Sequence, residues 1–310
     1  MTNLKDIKNR IKSVESTKKI TRAMKMVAAA RVKRAENTVK ASRPFTAELN
    51  SMFKKLLNSV GSYSAETLKI KSAIDNYPEL LRPREVKSVG ILVITSNKGL
   101  AGAYNANVVR KTLKKVEEYQ SQGIHSVLFI VGQKGLSALK RKVQALDCEI
   151  ANTYLNVANN PSGTGAKLVV EDMAEYFIDK KIDKMEIVTT RFKNMMSYFV
   201  EEWEVLPLKT QQEEYERLHD NVPESLMEFM PDMHNILQKV VPLYITNIVY
   251  QALLEAQASE LASRMTAMSA ATTNAEKIIN ELSVEYNKTR QFAITQEIIE
   301  VVSGANAQAG

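Results

Sequence analysis

Ser96-Asn97-Lys98-Gly99-Leu100-Ala101-Gly102 is the stretch of this 310-residue chain best equipped for chemistry, because it sets a lysine and two glycines between an apolar run and a helical pattern. Turns of that kind can cradle phosphate on backbone N–H groups at a helix start. The spacing is neither GxxxxGKS/T nor GxGxxG, so the segment reads first as a tight strand-to-helix turn. Gly132 and Gly135, after a second apolar run, read the same way.

Other reactive side chains form no constellation. His125, His219 and His234 show neither HxxxH nor HExxH spacing, which predicts no metal site. Cys148 is the single cysteine, with no CxxC partner, so it reads as an inert thiol, and no disulfide within the chain is possible. The carboxylates Glu117-Glu118 and Glu201-Glu202 are sequence neighbours, which point apart on a helix or a strand. No catalytic residues, no cofactor and no metal are expected.

The elements that would position these residues fall into three parts. Nine of the 11 glycines lie between Gly61 and Gly165. That middle reads as alternating strands and helices: strand 86–96, helix 105–122, strand 126–131, helix 133–142, strand 144–150, helix 164–181, strand 184–192 and an edge strand 198–205. Alternation of this kind predicts a mostly parallel, Rossmann-like sheet. The first 43 residues contain neither glycine nor proline. Leu4, Ile7, Ile11 and Val14 recur there at spacings of 3, 4 and 3, a coiled-coil seam. Its phase is expected to drift through Ile20, Met24 and Val27. Pro44 should kink or restart this helix, with Phe45 to Leu57 continuing it.

Leu243 to Ser303 is a run of 61 residues without glycine or proline. One helix of that length would span roughly 90 Å, which suits a rod or a coiled coil better than a compact domain. Pro223, Pro231 and Pro242 should punctuate a bent connector before it. Ala262 to Ala275 is dominated by small side chains, which let two helices approach closely. Both chain ends are thus helical, and they can pair only if the α/β part is an insertion between them. The expected fold class is α/β, with a long antiparallel coiled coil of the N- and C-terminal helices and an inserted Rossmann-like domain. Its expected parts are 1–58, 59–206 and 207–310.

Charge is unevenly placed. The whole chain carries +7; residues 1–60 carry 15 Lys/Arg against 4 Asp/Glu, and residues 251–302 carry 4 against 7. The ends are electrically complementary, and the basic end suits an acidic protein partner. The charged start predicts no secretory signal. The most apolar window, 240–254, is interrupted by Pro242, Asn247 and Gln251 and is too short to cross a bilayer. Two competing readings are a nucleic-acid-binding coiled coil, argued against by the lack of stacking aromatics in residues 1–44, and a nucleotide-using α/β enzyme built on the Gly99–Gly102 turn.

Five segments carry a resemblance: Lys19 to Ala30 (KITRAMKMVAAA), Ser96 to Asn105, Ala262 to Ala275, Tyr286 to Gln291 (YNKTRQ), and Ile294 to Ala305, an IT.E..E...GA pattern. Together they resemble the γ subunit of F-type ATP synthases over nearly the whole chain. The resemblance implies a central-stalk rotor subunit that couples ion flow through the membrane sector to ATP synthesis and hydrolysis. It implies a catalytic hexamer of α and β subunits, the ε subunit and the c-ring as partners, with no nucleic acid and no direct membrane insertion. It implies a peripheral place on the cytoplasmic face of a bacterial plasma membrane, or the equivalent face of an internal energy-transducing membrane. Met24, Arg290, Gln291, Thr295 and Glu297 match family positions that meet the catalytic subunits, and Glu228 and Phe229 fall near the foot. Some family members carry a dithiol regulatory insert; with only Cys148, this chain cannot switch that way.

Overall fold

A computed structural model describes residues 4–62, 84–143, 146, 148–206 and 233–309. The elements are α1 (Leu4–Ser62), β1 (Ser88–Ile94), α2 (Tyr104–Ser121), β2 (His125–Val131), α3 (Gln133–Val143), β3 (Cys148–Tyr154), α4 (Leu155–Asn159), α5 (Gly163–Ile178), β4 (Lys184–Asn194), β5 (Ser197–Leu206) and α6 (Met233–Ala309). They divide into two compact units, residues 31–263 and residues 1–30 with 264–310.

In the larger unit the five strands lie in the order β3-β2-β1-β4-β5. The first four are parallel, and β5 runs antiparallel on the edge. The apolar run of β1 is explained by its two covered faces. Val89, Ile91 and Val93 meet Val108, Val116 and Leu139 of α2 and α3. Leu92 and Ile94 face the other way, into a core with Val169 and Phe177 of α5 and Ile245, Val249 and Ala252 of α6. Ser162 caps α5 by accepting a hydrogen bond from the Gly165 N–H at 3.0 Å.

The middle segment follows the sequence reading closely. The third strand is displaced, however, lying at Cys148–Tyr154 rather than 144–150. It is an edge strand with mostly half-covered residues, so it needs no apolar run to announce it. The short α4 was not anticipated.

The smaller unit is an antiparallel helix pair. Lys18 Nζ reaches Glu276 Oε1 at 3.0 Å, and the Thr272 hydroxyl meets that of Thr21 at 2.9 Å, so the partner number falls as the first rises. Ile7, Thr21 and Ala28 of α1 and Met268, Ala275 and Leu282 of α6 are buried at multiples of seven residues, the period of a coiled coil. The expected drift of the seam through Ile20 and Val27 does not occur: both are exposed. The seam runs instead through Lys18 and Thr21, where hydrogen bonding and the Lys18 stem do the work of apolar side chains.

The helix continues past Pro44, as expected of Phe45 to Leu57, whereas Pro242, expected in a connector, lies inside the last helix. α1 runs through Pro44 and α6 through Pro242, starting at Met233. Each proline is exposed. Tertiary contacts hold the turns on either side. Ser42, Arg43 and Thr46 are bonded to side chains of α6, and Val241 and Ile245 are buried in the sheet core. Packing of this kind outweighs a local helix penalty.

Candidate functional site

The Ser96–Gly102 turn is built for structure. Asn105 Oδ1 accepts from the Ser96 N–H at 3.0 Å, and Asn97 Oδ1 accepts from the Gln133 N–H at 2.9 Å, satisfying the start of α3. Asn97 donates to the Leu155 carbonyl, and Ser263 of α6 donates to the Ala101 carbonyl at 2.6 Å. Leu100 takes a left-handed φ of 62°, rare for a branched residue, inside this bonded frame. The crevice beyond the carboxyl end of β1, where open α/β sheets bind ligands, is lined by Leu253, Ala256, Gln257 and Glu260 of α6 and has a volume of only about 20 Å³, room for little more than a water.

The paired carboxylates Glu201 and Glu202 are engaged separately, and His219 lies outside the described residues. Glu201 takes hydrogen bonds or charge from Arg191 and Trp203, whereas Glu202 pairs with Lys111 and Lys115, so these neighbours point to opposite faces. Beside them Glu186, 1 % exposed, accepts from the Tyr119 hydroxyl at 2.7 Å and pairs with Lys184. Burial and then Glu186 push the Tyr119 hydroxyl up to about 12. Burial opposes charge on Lys184, but its bonds to Glu186 and Glu204 outweigh this and raise it. Among the described residues no three His, Cys, Asp or Glu side chains are grouped to hold a metal ion.

The surface that remains is the end of α6. Arg290 and Glu297 are seven residues apart and share a helix face; Gln291 and Thr295 occupy the adjoining row. All four are exposed, and the Thr295 hydroxyl donates to the Gln291 carbonyl at 2.9 Å, leaving the side chains outward. Around them Phe292, Ile294, Ile298, Ile299, Val301 and Val302 are exposed too, Val301 at 71 %. Apolar side chains all round a helix signal burial against something else. The residue-by-residue expectation missed these six, although their clustering without a matching seam was visible in the sequence.

Met24 is half-buried on α1, away from this group. Thr21 bonds Thr272, and Arg290 lies 18 residues further along α6, about 27 Å at the helical rise. The smaller unit therefore carries two separate stretches rather than one site. Glu228 and Phe229 lie outside the described residues.

Comparison with known proteins agrees with this arrangement. The ATP synthase family matches residues 3–308. The chain is 40 % identical to the ATP synthase gamma chain of Synechococcus sp. (strain JA-2-3B'a(2-13)) over 99 % of its length and 100 % of the relative's. It is 39 % identical to that of Gloeothece citriformis, with the same coverage. Among solved structures it resembles a chain of the Tetrahymena thermophila mitochondrial ATP synthase central stalk and c-ring, with a TM-score of 0.60 and 28 % identity, covering 81 % of this chain and 99 % of that one. A chain of the Euglena gracilis mitochondrial ATP synthase gives a TM-score of 0.70 at 22 % identity over 98 % and 94 %, a likeness of fold. No described helix is long and apolar enough to cross a membrane. Two terminal helices paired in antiparallel, a sheet inserted between them and relatives matched end to end place this chain in the ATP synthase gamma chain family, the rotor subunit of the central stalk.

Proposed function

We propose that this chain turns inside a ring of three α and three β subunits through Met24, Arg290, Gln291, Thr295 and Glu297, and that it takes its torque from the c-ring, with the ε subunit bound beside it. The observation that carries this reading is the end of α6, where charged, polar and apolar side chains are exposed on every side of one helix. A surface of that kind suits an enclosing sleeve that meets a different face at each orientation.

The mechanism follows from differential interaction. A partner shifts an equilibrium only by the difference in its free energy of contact with the competing states. One asymmetric helix pair presents a different face to each of three β subunits, so each nucleotide site is biased differently. Turning the pair exchanges the biases. Arg290 offers five N–H donors in a fixed fork and suits a carboxylate or carbonyl of the surrounding subunits. Moving one charge through 100 mV supplies about 2.3 kcal/mol, so several ions must act together for each ATP released.

In this reading the chain has no catalytic site of its own, and phosphate chemistry belongs to its partners. It works at the cytoplasmic face of a plasma membrane, or the equivalent face of an internal one, held there by other subunits.

The test is ATP hydrolysis by purified α and β subunits with and without this chain. Assembly at one copy per three αβ pairs with sustained turnover is the expected result. Failure to bind or to alter turnover would overturn the reading. The basic first third would then be tested for salt-dependent nucleic-acid binding.

A further inference from the structure

Phe192 lies near the end of β4, past the last residue of that strand paired with β1, since the β1–β4 ladder stops at Val93–Val188. It lies opposite Tyr198 of β5, and its N–H and carbonyl are bonded by two side chains where β1 has ended. Arg43 of α1 donates from Nη2 to the Phe192 carbonyl at 2.7 Å, and Glu255 of α6 accepts from the Phe192 N–H at 2.9 Å. The same two side chains form a bidentate pair, with Arg43 Nε and Nη2 at 2.8 and 2.9 Å from the two Glu255 oxygens. Gln251 donates to Glu255 at 3.0 Å and also meets Ser42. One connected set of directional bonds thus ties both long helices to the sheet, all within the larger unit.

Stability alone does not require such a set. Glu255 is buried while the Arg43 side chain stays 43 % exposed, and even for a fully buried ion pair, replacement by packed apolar side chains is often neutral or stabilising. The surroundings are already apolar: Phe192 packs with Val32, Val39, Leu254 and Leu261. Apolar burial is non-directional, so it resists separation better than it resists slippage. A bidentate guanidinium–carboxylate pair fixes angle as well as distance. Glu255 is also held at 2 % exposure, where its bonds are little screened by solvent.

We propose that Arg43 and Glu255 form a mechanical joint that locks the α/β layer to the helix pair, so that torque entering through the sheet turns α1 and α6 without slip. The proposal rests on the rotor reading given above. Both are positioning residues: they act through each other and through the Phe192 backbone. Two packed helices carry the load, and the joint fixes their register against β4.

The experiment uses the fully assembled, membrane-reconstituted synthase and reads ions pumped per ATP hydrolysed. The double substitution Arg43→Leu/Glu255→Leu removes every bond these two side chains make to each other and to Phe192, and leaves the Ser42–Gln251 and Thr189–Ala252 bonds in place. It is expected to leave assembly and hydrolysis in place and to lower the pumping ratio by about twofold to thirtyfold, the span by which substitutions in a residue network change the coupling between two sites. Arg43→Lys, which keeps charge but loses the fork, should fall between the double variant and the parent. A double variant with the parent's ratio would show the pair to be merely structural and overturn the proposal. If the double variant fails to assemble, Arg43→Lys decides, and an unchanged ratio there overturns it equally. If the parent assembly hydrolyses and pumps at the same ratio without this chain, the rotor reading itself has failed instead.

Discussion

Arg290→Ala separates folding from coupling more cleanly than any other change in the candidate surface. Arg290 is exposed on α6 and makes no hydrogen bond or ion pair with the described residues. Its removal should change the stability of the isolated chain by no more than about 0.5 kcal/mol, the usual span for exposed positions. Alanine is also the stronger helix former, which slightly offsets any lost packing of the arginine stem. In the assembled complex the same guanidinium is expected to meet an acceptor of the surrounding ring. A hydrogen bond involving a charged group contributes about 1.5–3 kcal/mol. If that bond forms in only one orientation, its loss reduces the bias between orientations by about tenfold to a hundredfold. The assay pairs urea unfolding of the isolated chain with ATP-driven ion pumping by vesicles containing the complex. The expected outcome is an unchanged unfolding midpoint with weakened pumping per ATP. Full pumping efficiency in the variant, or a large loss of stability, would refute the reasoning.

Other predictions follow from the same geometry. Met24→Lys places a charge at a half-buried position of α1 and should impair pumping more than hydrolysis; normal pumping efficiency would count against it. Lys184→Met strips the closest cation from buried Glu186 and should cost about 3 kcal/mol in urea unfolding, the low end for a broken buried pair because Tyr119 and Lys115 remain near; the double variant Lys184→Met/Glu186→Met should be more stable than the single one. Because Tyr119 ionises at about 10 when unfolded and about 12 when folded, alkali should destabilise the chain between those values, and Tyr119→Phe should flatten that part of a stability-against-pH curve. Gly132→Ala should lower the melting temperature sharply, since Gly132 has φ of 96° and a Cβ there would lie 2.4 Å from the Thr95 carbonyl oxygen.

The α/β part was legible because its signals are local. Val89 to Ile94 is apolar on both faces and could only be a covered strand. The long helices were legible from missing glycine, but their true limits were not. Pro242 looks like part of a connector in one dimension; the structure carries helix through it, with its neighbours Val241 and Ile245 held in the sheet core. The seam past Val14 was misread for a similar reason. Thr21 is polar in the sequence, and only its pairing with Thr272 makes it a core residue. Candidate contact residues came from the resemblance rather than from composition. The apolar cluster around them, from Phe292 to Val302, needed the structure to show that no part of the described chain covers it.

The most direct test of the rotor account is to watch the chain turn. Cys148→Ser with Met196→Cys moves the only thiol to a site that is 85 % exposed on the β4–β5 hairpin, where a probe can be attached without entering the core. With the αβ ring fixed to a surface and ATP supplied, the account predicts rotation of the probe in one direction, with three dwell positions per turn. ATP turnover by the same complexes with a stationary probe would contradict it.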